Sequence, residues 1–493
     1  MSESQSAYKQ VVKATSIFGG VQVFNILISV VRSKVIALFL GPAGMGIAGL
    51  LNAVIGLVAM GTNFGLDTSA VKSISVAVNE ENPIEISKNV TILKRLIWFT
   101  GILGMLLMIL FSPLLSAITF GNSDYTFAFI WIAVTLLLRQ LTSGHLAVLQ
   151  GFRKLEYLAK ANVYGSFFGL VFTIPLYYYW KIDAIVPAII VATIFPLLFS
   201  WFYSDKLKIK HTKITNSQAL SEGKEMIRLG FSLSFIGLLT TLSAYALQIF
   251  ISNSGGLAEV GLFNAGFAII NSYVGLIFTA MSTDYFPRLA AVCSDNSKVR
   301  EMVKQQAYTA ILIMAPVVIL FLIFAPWIVT TLYSGDFLAI TAMISWGILG
   351  MVFKAVSWSM GYILIAKGDS RMFMRTSIFF NSLFLVINIL GYHFYGLEGL
   401  GVTFFVTYVI HFSVLLLLTY KRYEFYFDRE FYQLFVSYAV LCGAAFLLTY
   451  IPNVFVKYIL MAAIAIFSVA YSLFLLDKKT NIKTWVKNKT TKK

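Results

Sequence analysis

Runs of twenty or more apolar residues recur from one end of this 493-residue chain to the other. An α-helix needs about 20 such residues to cross the ~30 Å of hydrocarbon in a bilayer. Hydrophobic residues make up 58% of the chain and charged residues only 12%, against roughly 45–50% and 25% in soluble proteins. Because backbone groups in lipid must form hydrogen bonds within their own segment, runs of this length predict helices. We therefore expect an all-α polytopic membrane protein.

Hydropathy divides the chain into about fourteen predicted spans, each bounded to within a few residues. The first apolar run is too long for a cleavable signal peptide and lacks a small-residue cleavage site. The predicted spans are 14–39, 44–66, 91–119, 125–149, 159–180, 183–203, 226–252, 261–283, 306–332, 338–365, 374–395, 399–420, 431–450 and 453–476.

Basic residues concentrate in alternate loops. If the N-terminus is cytoplasmic, the inside segments hold 32 of the 38 Lys and Arg residues, and the outside loops hold only Lys181 and Lys457. Such a bias sets the orientation of membrane proteins, so we predict that both termini are cytoplasmic. The net charge of +16 then reflects topology, and it does not indicate a nucleic-acid partner. The Lys-rich C-terminal tail is expected to lie against anionic headgroups.

Four cations lie inside predicted spans, where each costs about 2.5–3.5 kcal/mol or more at mid-membrane. Arg32 shares one stripe of the first helix with three polar residues at spacings of three and four. Lys34 lies on the opposite face, close enough to the outer loop at Gly41 to extend its ammonium to the interface. We predict a water-lined cavity at Arg32, with a structural hydrogen bond as the alternative, and an interfacial anchor at Lys34. The other residues of the stripe are Gln22, Asn25 and Ser29.

The remaining two cations, Arg139 and Lys354, lie near the middle of their spans. Arg139 shares its helix face with hydroxyl residues that include Thr142. Lys354 shares its face with Ser357 and three glycines, which leave room for a bulky ligand or a close helix. An interhelical hydrogen bond is the alternative role for each cation. We favour cations that point into a solvated cavity.

The chain also repeats itself. The segment “GPAGMGIAGLLNA” (41–53) resembles “GLAEVGLFNA” (256–265), and Gly46 corresponds to Gly261 at an offset of 215 residues. Internal repeats of this kind are common in transporters. The offset equals six predicted spans, an even number, so the two halves should have the same orientation and be related by an axis along the membrane normal.

This repeat predicts two six-helix lobes related by pseudo-twofold symmetry, with two extra C-terminal helices. The predicted divisions are an N-lobe at 1–203, a basic cytoplasmic linker at 204–225, a C-lobe at 226–420, the two extra helices at 421–476 and the Lys-rich cytoplasmic tail at 477–493.

Polar stripes recur on the first two helices of each predicted lobe. One stripe alone is typical of ordinary helix packing, but four at repeat-related positions favour a central cavity. Asn52 and Asn264 correspond in the repeat only with a few residues of slippage. Outside the first helix, the predicted cavity-lining residues are Asn52 and Asn63, Gln248, and Asn264 and Asn271.

Two motifs and their flanks carry a family resemblance. They are “ALFLGPAGMGIAGLLNAVIGL”, after the Arg of the first span, and its second-half echo “GLAEVGLFNAGFAIINSYVGL”. Two further segments, “VLQGFRK” (148–154) in the first half and “IAKGDSRM” (365–372) in the second, strengthen the match. In these the chain resembles the O-antigen translocase (Wzx-type) flippases of the multidrug/oligosaccharidyl-lipid/polysaccharide exporter superfamily. The resemblance covers nearly the whole chain and implies a V-shaped, two-lobed, alternating-access transporter of the bacterial inner membrane. The implied substrate is an undecaprenyl-diphosphate-linked oligosaccharide, carried from the cytoplasmic to the outer leaflet.

The resemblance gives the buried cations a role. Arg32, Arg139 and Lys354 would hold the diphosphate through charge-assisted hydrogen bonds, while the polar stripes contact sugar hydroxyls. Candidate partners are the lipid-linked oligosaccharide, membrane lipids, a coupling ion (H⁺ or Na⁺) and glycan polymerase machinery. No cofactor is expected, and two cysteines are too few for a metal cluster.

Three alternative functions stay open. A lipid II flippase of the same fold also uses a cationic cavity and is the closest competitor. A multidrug cation antiporter would need carboxylates in its cavity, whereas Asp67 and Asp284 lie at the inner ends of their spans, where gating or ion coupling is their candidate role. A membrane glycan polymerase or glycosyltransferase would need catalytic carboxylates on substantial loops, and the predicted outside loops are only a few residues long.

Overall fold

The computed structural model describes residues 3–209, 212 and 214–480, and every regular element in them is helical. Residues 481–493, most of the predicted tail, lie outside the described residues. The chain forms two compact units, residues 1–264 with 332–334 and residues 265–331 with 335–493. The first unit therefore includes the predicted linker and the predicted seventh span.

The first unit is built from nine helices and the start of a tenth, counted over its described residues. They are α1 (Glu3–Asn63), α2 (Leu66–Asn79), α3 (Pro83–Leu110), α4 (Ser112–Phe120), α5 (Thr126–Ile132), α6 (Val134–Gly151), α7 (Leu155–Trp180), α8 (Ile185–Asp205), α9 (Asn216–Gly255) and α10 (Leu257–Phe267).

The second unit begins at the end of α10 and continues through a π-helical segment at Ala268–Val274. Its further helices, within the described residues, are α11 (Leu276–Ala291), α12 (Asn296–Leu332), α13 (Thr341–Ala366), α14 (Ser370–Tyr423), α15 (Arg429–Leu448) and α16 (Val454–Thr480).

Eleven helical stretches of the described chain are long and apolar enough to cross a membrane. Three of them, Gly20–Asn63, Leu155–Asp205 and Ser370–Tyr423, contain 44, 51 and 54 residues. At 1.5 Å per residue the longest would extend about 80 Å, more than twice the ~30 Å of a bilayer core, so each of the three is long enough for two spans. The all-α polytopic membrane fold is confirmed, and the count of fourteen spans stays a prediction.

Each of these three stretches is interrupted between two predicted spans. Gly41 in α1 and Gly396 in α14 have φ values of 65° and 55°, a left-handed conformation that side chains disfavour. Pro42 then starts the next helical segment. Proline lacks a backbone N–H, but an N–H at the start of a helix has no intrahelical acceptor, so no hydrogen bond is lost. A 3₁₀ turn at Lys181–Ala184 separates α7 from α8.

Polar caps start several helices at the ends predicted to be cytoplasmic. The Asn82 side chain accepts hydrogen bonds from two backbone N–H groups at the start of α3. Thr215 and Gln218 form a capping box on α9, and Asp428 caps α15. Each cap is worth about 1 kcal/mol, and such residues mark helix starts that hydropathy alone leaves uncertain.

Two glycine pairs bring the α1–α2 segment into backbone contact with the α9–α10 segment, within the first unit. A Cβ atom on Gly46 or on Gly261 would collide with a backbone carbonyl of the opposite segment. Gly65 and Gly230 approach each other in the same way farther along the two segments. The two glycines that the sequence repeat pairs, Gly46 and Gly261, therefore pack against each other.

Candidate functional site

The first unit contains a partly open cavity of about 680 Å³ lined by α1, α2, α6, α7 and α8. Cavities of this size accommodate drug-sized ligands. Two of the predicted cations, Arg32 and Arg139, are in its lining. The other polar lining residues are Asn52, Asp67, Thr68, Thr142, Ser143, Gln150, Asn162, Thr173, Tyr177 and Thr193.

The two arginines reach this cavity from distant positions in the sequence. Arg32 precedes the bend in α1 and Asn52 follows it, while Arg139 projects from α6. Nη2 of Arg139 donates a hydrogen bond to Oδ1 of Asn52 at 3.0 Å. The Nε atom of Arg32 is buried and has no hydrogen-bond partner among the described residues. The two guanidinium groups lie close enough for their charges to repel each other.

Neither arginine forms an ion pair within the part of the chain that the structure describes. Asp67 is the one acidic residue in the cavity lining, and its Oδ1 accepts a hydrogen bond from the backbone N–H of Thr68 at 2.8 Å. Buried charges are normally paired, because an isolated one loses its hydration without compensation. The arginine end of the cavity therefore favours an anionic ligand, and guanidinium groups suit phosphate oxygens.

One face of α6 follows the cavity toward the predicted cytoplasmic side. Arg139, Ser143 and Gln150 lie at positions i, i+4 and i+11 of this face, which spans about 16 Å of helix rise. Gln150 is near the C-terminal end of α6, and Asp67 is in the first turn of α2. The cavity lining thus extends from the arginines near mid-span to polar residues at the helix ends.

Sequence reasoning did not select Gln150, Asn162 or Tyr177. Extending the helix face of Arg139 and Ser143 by two turns beyond Ser143 leads to Gln150, so helical periodicity alone could have predicted this residue. Asn162 and Tyr177 lie on α7, opposite α6 in the cavity lining, and no periodic polar stripe distinguishes them from residues of ordinary helix packing.

The other predicted polar residues of the first unit are in different surroundings. Gln22 and Ser29 are exposed on α1. Of the four residues in their stripe, Arg32 is the one in the cavity lining. Oδ1 of Asn25, Oε1 of Gln248 and Nδ2 of Asn264 are buried and lack a hydrogen-bond partner among the described residues.

Asn63 belongs to a buried polar cluster that includes the residue after Arg139. Nε2 of Gln140 donates to Oδ1 of Asn63 at 3.0 Å and to Oγ1 of Thr100 at 2.9 Å. These bonds join α6 to α1 and α3, and they help to fix the helix from which Arg139 projects.

Lys354 lies in the second unit, and its charge has protein partners. Nζ donates a hydrogen bond to Oδ1 of Asn271 at 2.8 Å. It also lies 5.0, 5.6 and 5.9 Å from the ring centroids of Tyr408, Phe404 and Phe278, within the range of cation–π attraction. The hydroxyl of Ser357 is buried and donates to the backbone carbonyl of Lys354 at 3.2 Å.

Asp67 and Asp284, the two acidic residues predicted at the inner ends of spans, differ in environment. Asp284 is exposed, and its Oδ2 forms an ion pair at 2.9 Å with Arg288 one helical turn away. Asp67 is half-buried in the cavity lining and has no ion pair within the described residues. The fourth buried cation, Lys34, donates a hydrogen bond to the backbone carbonyl of Tyr333, next to a loop predicted to be outside.

A protein-family model described as “Polysaccharide biosynthesis protein” matches residues 35–342. That match covers more than half of the chain. The chain belongs to this family.

Curated proteins that are similar to this chain include two flippases. The Lipid III flippase of Escherichia coli (strain K12) is 22% identical over 391 residues, which cover 77% of this chain and 91% of the relative. The Lipid III flippase of Shigella flexneri matches with the same identity and coverage.

Two solved structures show the fold of this family member. Lipid II flippase MurJ, in an inward closed conformation, has a TM-score of 0.67 and 12% identity, covering 95% of this chain and 99% of that one. An inward-facing multidrug resistance MATE family transporter of the MOP superfamily has a TM-score of 0.66 and 15% identity, covering 82% and 94%. The predicted resemblance to flippases of this superfamily is confirmed, and the similar proteins are themselves named flippases or transporters.

Proposed function

We propose that this protein is a flippase for an undecaprenyl-diphosphate-linked oligosaccharide, an O-antigen or similar surface-glycan repeat unit. It would carry this lipid from the cytoplasmic to the periplasmic leaflet of the bacterial inner membrane by alternating access. The observation that carries the proposal is the pair of arginines in one cavity, without a carboxylate partner among the described residues.

A diphosphate complements this pair in charge and in hydrogen-bonding capacity. The head of a lipid-linked glycan has to leave water to cross the membrane, and hydrogen bonds from guanidinium groups replace its hydration. Charge attraction in a confined site is several times stronger than in bulk water. The binding of a dianion would also relieve the repulsion between Arg32 and Arg139.

The similar proteins support a lipid substrate. Two relatives are named Lipid III flippases, and one structural neighbour is named a Lipid II flippase. A second candidate function is accordingly a lipid II flippase, because lipid II shares the diphosphate. A multidrug cation antiporter is disfavoured, since two unpaired arginines repel a cationic drug.

Within this proposal Arg32 and Arg139 bind the diphosphate, and Lys354 contributes less because Asn271 and three rings already stabilise its charge. Asp67 is the candidate for gating or coupling to H⁺ or Na⁺. Asp284 is the weaker candidate, since Arg288 neutralises it.

Both termini are assigned to the cytoplasm from the distribution of basic residues.

The first test measures binding of farnesyl diphosphate, a short prenyl diphosphate, to purified full-length protein. We expect Arg32→Gln with Arg139→Gln to weaken binding by about 100-fold or more, because charge-assisted hydrogen bonds are worth about 1.5–3 kcal/mol each. Arg153→Gln, at an exposed arginine of the same unit, is the matched control and should bind normally. Unchanged binding in the double variant would refute the proposal.

The second test separates the two candidate lipids. Proteoliposomes would contain either undecaprenyl-diphosphate-linked oligosaccharide or lipid II, and translocation would be followed by accessibility of the glycan to an external enzyme. Translocation of the oligosaccharide lipid but not lipid II supports the proposal, and the opposite result identifies a lipid II flippase.

A further inference from the structure

Between the arginines and the helix ends, the cavity lining carries polar groups with unused hydrogen-bonding capacity. The side chains of Ser143 and Gln150 form no hydrogen bond with any described residue. Asn162 donates its Nδ2 to the backbone carbonyl of Leu158 at 2.9 Å and keeps Oδ1 for another partner. These groups point to a ligand that both donates and accepts hydrogen bonds.

Asp67 and Thr68 extend this polar set on α2. Oδ1 of Asp67 accepts hydrogen bonds from the backbone N–H of Thr68 at 2.8 Å and from the Thr68 hydroxyl at 3.5 Å, which leaves the second carboxylate oxygen available. Each carboxylate oxygen can accept more than one hydrogen bond. A ligand hydroxyl is a suitable donor for it.

The positions of these residues place the polar set next to the arginines. Ser143 lies one helical turn from Arg139 on the same face of α6, and Gln150 lies three turns away. In a diphosphate-linked glycan the first sugar is bonded directly to the diphosphate. A diphosphate held by Arg139 would therefore bring the first sugar alongside Ser143 and toward Gln150.

We infer that Asp67, Thr68, Ser143, Gln150 and Asn162 form a subsite for the first sugar of the lipid-linked glycan, and that this sugar carries no negative charge. The inference rests on the proposed function and deepens it by naming the class of sugar. Polar groups left without partners reject a ligand that cannot pair with them, so the subsite contributes specificity as well as affinity.

Asp67 excludes an acidic sugar for an electrostatic reason. Its carboxylate has no ion pair among the described residues, so a sugar carboxylate beside it would meet an uncompensated like charge. Like charges brought together in a confined site oppose binding. The two arginines cannot relieve this repulsion once the diphosphate occupies them.

The volume of the cavity limits recognition to the start of the glycan. About 680 Å³ suits a ligand of drug-like size, which corresponds to the diphosphate with its first sugar. Longer glycans would extend beyond the polar set, so their distal sugars should have little influence on binding to this unit.

The test uses purified full-length protein and three soluble probes: farnesyl diphosphate, the same diphosphate carrying N-acetylglucosamine, and the same diphosphate carrying glucuronic acid. Calorimetry would give the affinity of each. We expect the neutral sugar to tighten binding by about tenfold or more, the value of one or two hydrogen bonds, and the acidic sugar to give no gain.

Two variants locate the effect. Asp67→Asn should improve binding of the acidic-sugar probe at least tenfold more than it improves binding of farnesyl diphosphate, because the like charge beside the sugar is removed. Gln150→Ala, at an exposed side chain, should lose part of the gain from the neutral sugar. Glu156→Gln removes an exposed carboxylate on α7 that is paired with Lys160 and should leave all three affinities unchanged.

Equal affinity for farnesyl diphosphate with and without the neutral sugar would overturn the subsite and leave the diphosphate site intact. Equal affinity for the neutral and acidic sugars would overturn the role of Asp67. If farnesyl diphosphate itself fails to bind, or binds independently of Arg139, the proposed function fails instead.

Discussion

Each unit contains a basic side chain near mid-span that donates a hydrogen bond to an asparagine on another helix. In the first unit Arg139 bonds to Asn52 at 3.0 Å, and in the second Lys354 bonds to Asn271 at 2.8 Å. Arg139 and Lys354 are separated by 215 residues, the offset of the sequence repeat. The two cations therefore correspond in the repeat, and each bonds to an asparagine of its own unit.

The surroundings of the two cations differ. Lys354 faces three aromatic rings, each of which contributes roughly 0.5–2 kcal/mol of cation–π attraction. Arg139 faces a cavity and the like charge of Arg32. The same sequence feature, a cation inside a span, thus has two physical outcomes. We therefore expect Arg139 to retain more attraction for a ligand than Lys354 does.

The largest expected effect is at Arg139. Arg139→Glu should abolish glycan export, because a second carboxylate would repel the diphosphate. Arg139→Gln should reduce export by about tenfold to 100-fold through the loss of charge-assisted bonds, and Arg139→Lys should retain partial function because the charge remains. The measurement is complementation of glycan export at matched protein levels. Normal export by Arg139→Gln would show that the hydrogen bond between Arg139 and Asn52 has a structural role, like the bond between Lys354 and Asn271.

The next effect separates the two cations that are close in sequence. Arg32→Ala should impair export by about tenfold or more, whereas Lys34→Ala should change it little, since Lys34 bonds to the Tyr333 carbonyl and lies outside the cavity lining. The same export assay measures both variants in parallel. An equal loss of export in Lys34→Ala would show that a position in the cavity lining does not separate the cations that function in export from those that do not.

A smaller effect is expected at Lys354. Lys354→Arg should be tolerated, and Lys354→Gln should reduce export by less than tenfold, because the lysine charge already has partners within its own unit. Arg139→Gln serves as the matched comparison. A defect at Lys354 as severe as that at Arg139 would mean that both units bind the diphosphate.

The smallest effect concerns stability. Asn271→Ala should lower the free energy of unfolding by about 1–3 kcal/mol, since it leaves a partly buried ammonium without its hydrogen-bond acceptor. Asn52→Ala should cost less, because Arg139 faces a cavity that water can enter. Thermal unfolding in detergent, monitored by tryptophan fluorescence, would compare the two. A larger loss of unfolding free energy in Asn52→Ala than in Asn271→Ala would show that the cation of the first unit depends more on its asparagine than the cation of the second unit does.

The sequence was sufficient for the features that depend on one helix at a time. Hydropathy predicted the membrane helices, and the glycine and proline at 41 and 42 marked a break between predicted spans. The helical face of Arg139 indicated a polar environment. These features follow from local chemistry and from the period of the α-helix.

Features that depend on two helices could not be predicted in the same way. The repeat paired Asn52 loosely with Asn264, whereas the asparagine that accepts from the second-unit cation is Asn271. The aromatic rings around Lys354 come from α11 and α14, and Asn162 reaches the cavity from α7. Periodicity defines a helix face but not the residues opposite that face.

The glycine pairs described in the fold affect the kinetics of any transport cycle. At Gly46 and Gly261 the two segments meet through backbone atoms alone, and these atoms have no rotamers. If a transport cycle separates the segments, these two glycines need no rotamer change for the backbone contact to break or reform. An added methyl group at Gly261 would hold the segments apart and prevent the closed contact from reforming. The turnover rate, and not only the affinity for substrate, should therefore depend on the absence of side chains at these two positions.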